Sequence, residues 1–174
     1  MDRNKILITS ITLGIIASAS AGLIGLTNLL TKDQIVRNEK NKINTGIKEI
    51  FGKNKEVFDS ESIDIENYKY VTAMYRVKND DGYDYAIRTD GSNMYGKISL
   101  LIGFETSSHG FKGIFVIKDE QTYASTLEEE YISKVNDGSR PMESISCGAT
   151  YGATLVREMT YRAKSYVCDR IWKV

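Results

Sequence analysis

Apolar and polar positions divide this chain into four stretches. Ile6 to Thr31 is predominantly apolar or small and carries no charged residue, longer than the roughly 20 residues that span a bilayer as a helix. Over residues 33–51 the pattern changes. Ile35, Val36, Ile43, Ile47, Ile50 and Phe51 recur at helical spacing among Lys, Glu and Asn, which predicts a charged helix that continues from the membrane segment and docks onto a domain. Gly52 with Lys53-Asn54-Lys55 is the predicted stop. Tyr68 to Val77 then reads as a strand, Asn79-Asp80-Asp81-Gly82 as a turn, and Tyr83, Tyr85 and Ile87 alternate on a returning strand. Asp90-Gly91-Ser92-Asn93 predicts a turn into a strand over Tyr95 to Phe104, and Ser107-Ser108-His109-Gly110 a turn into Gly113 to Ile117.

Beyond this four-stranded meander, Leu127, Tyr131 and Val135 stripe a helix over Thr126 to Val135. Asn136-Asp137-Gly138-Ser139 and Pro141 break the chain, and Leu155, Val156, Met159, Ala163, Tyr166 and Val167 define a last helical face. The expected class is α+β: an N-terminal transmembrane helix, then one domain with an antiparallel β-meander covered by helices. The expected boundaries are 1–5 for an N-terminal cytoplasmic tail, 6–31 for the transmembrane helix, 32–52 for a juxtamembrane helix and 53–174 for the domain.

Composition narrows the picture. With 23 basic and 23 acidic residues in 174, no broad basic face for nucleic acid is implied. Cys147 and Cys168 are too few for a disulfide framework and lack metal-ligand spacing, so no metal is expected; one bridge between them stays open. The acidic residues Asp119-Glu120 and Glu128-Glu129-Glu130 read as a solvated flank without calcium-loop spacing. A cleavable signal peptide ending at Ala19-Ser20-Ala21 competes with the anchor, but the apolar run continues through Leu30. Gly14, Ala17, Gly22 and Gly25 would suit close packing against another membrane helix. Basic residues lie on both sides of the segment, so their count does not set its orientation.

The candidate chemistry lies in Ser146-Cys147-Gly148-Ala149-Thr150-Tyr151-Gly152-Ala153-Thr154, directly before the last helix. A threonine hydroxyl among the smallest residues at a helix N-terminus suits a phosphate: the backbone is approachable and the helix dipole favours the charge. Taken alone, the same residues also make an ordinary small-residue helix start. Gly152-Ala153-Thr154 repeats the triplet one turn on, but only Thr150 stands at the helix entrance. His109, Cys147 and Arg157 offer a different chemistry, since they follow the chain order of sortase-type transpeptidases, although Cys147 precedes a helix and not a strand end.

Over nearly its whole length the chain resembles the RnfG-type family, the FMN-binding component of the Rnf electron-transport complex, which is related to the NqrC-type component of sodium-translocating NADH:quinone reductase. The likeness rests on one N-terminal membrane helix, the charged helix after it and Tyr95-Gly96-Lys97-Ile98 opening a strand. It rests also on Gly113 to Ile117 followed by Gln121-Thr122, and on Gly148-Ala149-Thr150. Departures are Cys147 where Ser or Thr is usual, Gly152 where Ser or Thr follows, and Gln121-Thr122-Tyr123-Ala124-Ser125-Thr126 for Glu-Thr-Pro-Gly-Leu-Gly. The resemblance implies FMN held covalently as a phosphoester on Thr150, with Gly148, Ala149, Cys147, Tyr151 and Thr122 around it. No catalytic residue is implied. The protein would carry electrons within an Rnf-type complex coupled to ion translocation, and would not be a complete enzyme alone. Partners would be the other membrane subunits, a flavin transferase for maturation, and the bilayer. The expected location is the cell membrane, single-pass, with the C-terminal domain extracytoplasmic. An NqrC-type component or a stand-alone extracytoplasmic flavin carrier is the alternative.

Overall fold

The structure, a computed structural model, describes residues 3–52, 57–58, 68–80, 82–138 and 140–173, with side chains from residue 8 onward apart from 28 and 29. Predicted signals at Lys53 to Lys55, Asp81 and Ser139 lie outside the described residues. The chain divides into two units, Met1–Asn41 and Lys42–Val174. One helix, α1 (Arg3–Phe51), contributes to both, so the anchor and the charged helix of the sequence reading are a single element.

In the first unit the apolar side chains Ile8, Ile11, Leu13, Ile15, Leu23, Ile24 and Leu26 are all exposed. The helix is long and apolar enough to cross a membrane. Its polar side chains turn inward on the backbone: the hydroxyls of Thr12, Ser20, Thr27 and Thr31 each donate to the carbonyl four residues back at 2.8–2.9 Å. A hydroxyl satisfied within its own helix costs little to bury in hydrocarbon.

The second unit is built on a sheet that, among the described residues, has five antiparallel strands in sequence order. They are β1 (Val57–Phe58), β2 (Val71–Asn79), β3 (Gly82–Asn93), β4 (Gly96–Glu105) and β5 (Gly110–Asp119). The predicted meander is present, with β1 added as a short outer strand pairing Val57 with Val77. Both faces of this sheet are covered. Ile98, Leu100, Ile102 and Phe104 of β4 face one way, into a core with Leu155, Val156, Met159, Ala163 and Val167 of the last helix and Leu127, Tyr131 and Val135 before it. Leu101 faces the other way with Val77, Ala86 and Ile117, against Ile43, Ile47 and Phe51 of α1. The unbroken run Leu100-Leu101-Ile102 is what a strand buried on both sides requires. Gly46 makes the helix–sheet approach, because a Cβ there would stand 2.7 Å from Phe115 Cγ and 3.1 Å from Leu101 Cδ2.

Three expectations need correction. Ile35 and Val36 belong to the helical period but are exposed, and docking begins at Ile43. Asp90-Gly91-Ser92-Asn93 is not a turn: β3 runs through it, paired with Ser99 to Gly96, and the chain reverses at Met94 and Tyr95. Gly91 is there because Met159 crosses it, with Sδ only 2.8 Å from where a Cβ would be. The helix over Thr126 to Val135 is a continuous segment, 124–136, whose middle is wound as a π-helix: α2 (Ala124–Leu127), Glu128–Ile132, and α3 (Ser133–Asn136). A short 3₁₀ turn (Met142–Ser144) then leads to α4 (Thr150–Val167), which ends in a second π-turn, Cys168–Trp172.

The outer edge of β5 is partly closed by side chains. Asn136 Oδ1 accepts from the Ile114 N–H at 2.7 Å while its Nδ2 donates to the Ile114 carbonyl at 2.8 Å. Lys42 Nζ donates to the Ile117 carbonyl at 3.0 Å. Such plugs deny an edge strand to a further strand.

Candidate functional site

Thr150 is the first residue of α4, and its side chain is exposed. The preceding residue, Ala149, has φ −95° and ψ 53° and offers no side-chain oxygen to the first turn. The leading N–H groups of a helix have no partner within it, and no side chain caps them here, so they can face an anion. The Thr150 hydroxyl makes one long contact, donating to the Cys147 carbonyl at 3.4 Å, which leaves its oxygen accessible. Thr154 is different: its hydroxyl donates to the Thr150 carbonyl at 2.9 Å and is drawn along the helix.

Two hollows meet at Thr150. The first, about 230 Å³, is lined by Tyr95, Tyr123, Tyr151, Gln121 and residues Gly148 to Gly152. Tyr95 centres the aromatic group, 5.9 Å from the Tyr123 ring and 5.4 Å from Tyr151. Tyr123 and Tyr151 are more than half exposed, which leaves their ring faces open to a planar ligand. The second hollow, of the same size, is polar and lined by Cys147, Thr154, Arg157, Glu143 and Tyr131 among others. Burial raises the Tyr131 phenol above its ordinary pKa, against the opposing pull of Arg157.

The aromatic hollow is held by turn chemistry. Gly96 has φ +139°, a region open to glycine, and any Cβ there would collide with the Glu120 carbonyl. That contact brings the 93–96 turn against the 119–123 loop. Asn93 Oδ1 accepts from the Tyr95 N–H at 2.8 Å, and Asp119 Oδ1 accepts from the Gln121 N–H at 2.8 Å. Burial pushes the Asp119 carboxyl above the usual carboxylate range. Thr122 donates to the Tyr95 carbonyl through its N–H at 3.1 Å and its hydroxyl at 3.4 Å.

The sequence-predicted residues therefore divide. Thr150, Gly148, Ala149 and Tyr151 line the aromatic hollow. Cys147 lines its polar neighbour, and Thr122 supports Tyr95 from behind without lining either. Tyr95, Tyr123 and Gln121 are wall residues that sequence reasoning missed; their signal was the Gly96 turn and the Gln121-Thr122 loop, two tracts far apart in sequence. One donor of the loop is already engaged, since the Gly148 N–H donates to the Glu130 carboxylate at 3.3 Å. A carboxylate at this point occupies the place an anionic ligand would favour.

The transpeptidase constellation does not assemble. Cys147 and Arg157 share the polar hollow, but His109, exposed in the β4–β5 turn with φ +47°, packs its ring edge-on to Trp172 at 4.8 Å. Cys147 and Cys168 are both free thiols, so the bridge left open by the sequence is not formed. Among the described residues, no cluster of His, Cys, Asp and Glu could hold a metal ion.

FMN fits these residues on three counts: an accessible hydroxyl for a phosphoester, an uncapped helix start for the phosphate, and open tyrosine faces with an orphan buried amide on Gln121 for a ring. The hollow is smaller than the roughly 300–1,000 Å³ of sites that engulf a whole ligand, so a ring seated there would keep an exposed edge.

Residues 1–50 match the family model described as the RnfG N-terminal region. No curated protein matches the chain. The matched residues end before the sheet and lie in α1, whose N-terminal part fits a single-pass membrane anchor. On that match, with the long apolar helix that carries it, the chain is supported as an RnfG-type subunit, one of the subunits of an Rnf complex.

Proposed function

We propose that this protein is a membrane-anchored electron carrier holding FMN as a phosphoester on Thr150. The observation that carries the reading is the placement of one accessible hydroxyl at an uncapped helix N-terminus, on the rim of a hollow walled by three tyrosines. Attack of the Thr150 hydroxyl on the flavin-side phosphorus of a flavin dinucleotide, supplied by the transferase, forms one P–O bond, breaks the pyrophosphate P–O bond and releases the nucleoside monophosphate, so the chain gains FMN less one water. The first-turn N–H groups of α4 and the positive end of its dipole then face the phosphodiester's charge. When bound, the flavin supplies reversible uptake of electrons. The chain's own residues hold its phosphate end, offer aromatic faces to its ring, and leave an edge open to donors and acceptors.

A tether answers a specific need. A carrier outside the lipid loses a dissociable cofactor by dilution, whereas a covalent one stays while its ring meets two redox partners in turn. The domain lies on the extracytoplasmic side in this reading, and a flavin transferase attaches the group. Electron passage through it is coupled to ion movement in other subunits of the complex.

The test is denaturing electrophoresis of the chain co-expressed with a flavin transferase. The wild-type band fluoresces, Thr150→Ala is dark, and Thr154→Ala fluoresces like wild type. A dark wild-type band sinks the reading; fluorescence lost with Thr154→Ala and kept with Thr150→Ala moves the attachment one turn along α4.

A further inference from the structure

The wall of the aromatic hollow contains an unmet hydrogen-bond donor. Gln121 is 8% exposed, and its Nε2 has no hydrogen-bond partner among the described residues. Two more buried polar atoms without partners lie on the same pair of loops: Asn93 Nδ2, beside the Tyr95 turn, and Asp119 Oδ2, beside the Gln121 backbone. Folded proteins pair such groups almost everywhere, and a buried donor left unmet costs stability. Three on one pair of loops mark a place where the fold keeps polar capacity in reserve.

Local packing fixes the Gln121 side chain. Its Oε1 lies 2.7 Å from where a Cβ on Gly152 would be, so the amide is pressed against the first turn of α4 beside Thr150. Its backbone is held by Asp119, and the fully buried Leu127 crowds the same Gly152 position. A long, flexible side chain thus lines a hollow walled by tyrosine rings and the start of α4, with an NH₂ group that is shielded from solvent and unspent. This geometry selects a flat ligand whose edge carries hydrogen-bond acceptors.

We infer that Gln121 is a recognition and positioning residue whose amide Nε2 donates a hydrogen bond to an acceptor on the edge of a planar heterocycle held among Tyr95, Tyr123 and Tyr151. The inference rests on the flavin reading above and adds the group that orients the ring. A donor at a carbonyl or ring-nitrogen edge binds more strongly when that edge gains negative charge, because hydrogen bonds to charged groups exceed neutral ones. Gln121 therefore favours the reduced ligand and raises its midpoint potential.

The test uses full-length protein, loaded by a flavin transferase or unloaded through Thr150→Ala, each with and without Gln121→Leu. Leucine has a similar volume and no polar atom. In the unloaded protein the substitution raises Tm, because an unmet donor is removed. In the loaded protein it lowers Tm, and the midpoint potential falls by about 30 mV, a tenfold change in a two-electron equilibrium. Gln121→Met replaces it where the leucine variant does not fold. An unmoved potential in loaded protein, or the same sign of Tm change in both backgrounds, overturns the inference: the amide is then a structural group satisfied by water. Intact mass of the wild type is taken first. If it carries no flavin, the attachment reading fails and this inference falls with it; if it does, the inference stands or falls on its own readouts.

Discussion

Gly152 offers the sharpest check on how the site is packed. It is the third residue of α4 and is buried, and glycine at a helical position costs about 1 kcal/mol relative to alanine. Helix propensity alone therefore predicts that Gly152→Ala stabilises the protein. The surroundings say the opposite. A Cβ would stand 2.7 Å from Gln121 Oε1, 2.9 Å from Leu127 Cδ2 and 3.2 Å from Leu127 Cδ1. Gln121 can give a little, but Leu127 is fully buried and has nowhere to go. Overpacking of this kind costs roughly 1–3 kcal/mol and occasionally more. Two of the three close contacts are to Leu127, which cannot retreat, and they put Gly152→Ala toward the upper end of that range, so after the propensity gain the net loss is about 1–2 kcal/mol. For a domain of this size that is a fall in Tm of roughly 4–8 °C. Trp172, the single tryptophan, reports it: the ring lies 6.3 Å from Phe104 in the core, so its emission follows unfolding of full-length protein in detergent. An unchanged or raised Tm would refute the reasoning, because the floor of the hollow would then be loose enough to admit a methyl group.

Other consequences can be read with the same melts. Gly46→Leu drives a side chain into Phe115 and Leu101 and should lower Tm by several degrees, whereas Gly22→Leu, with nothing within 4 Å, should leave it unchanged. Equal effects of the two would contradict the docking of Lys42–Phe51 on the sheet. Asn136→Ala removes both bonds to Ile114, at a cost of about 1–3 kcal/mol, and hydrogen exchange should show the Ile114 amide losing protection first; a protected amide would mean another group closes that edge. Asp90 is pushed up by burial, but Ser99, Thr72 and Arg88 outweigh this and hold its pKa below the usual value. A depressed carboxyl stabilises the fold above its unfolded pKa of about 3.9 and loses that contribution as pH falls through the folded value. The advantage of wild type over Asp90→Asn, about 1 kcal/mol for this partly exposed group, should be full at neutral pH and shrink as pH falls below the unfolded value and through the depressed folded one. An advantage that grows on acidification would reverse the sign and refute it.

Much of the fold was legible because its signals are local. Alternation in Tyr85 and Ile87 and the helical stripe from Leu155 to Val167 follow from which side faces a core, and the structure repeats both, although Tyr83 at the strand's start is exposed. Signals that depend on a distant partner were not legible. Gly91 looks like a turn residue until Met159 is seen lying across it, and Ile35 looks like docking until the helix is seen to engage the sheet only from Ile43. Val57–Phe58 is too short to carry any period. At the site, Thr150 could be singled out because small residues before a helix are a contiguous pattern, and the structure places it as the first residue of α4. Tyr95, Tyr123 and Gln121 escaped because a positive φ at Gly96 and its contact with the Glu120 carbonyl bring two separate loops together. The Gly152 departure from the family pattern also acquires a cause, since Gln121 and Leu127 fill the space a side chain would need.

The account stands on a covalent group at one hydroxyl, and intact mass with peptide mapping on protein purified from its own host tests that directly. The expected result is an excess equal to FMN less one water, mapped to the peptide containing Thr150. A chain of unmodified mass, or a flavin mapped to any other residue, would contradict it.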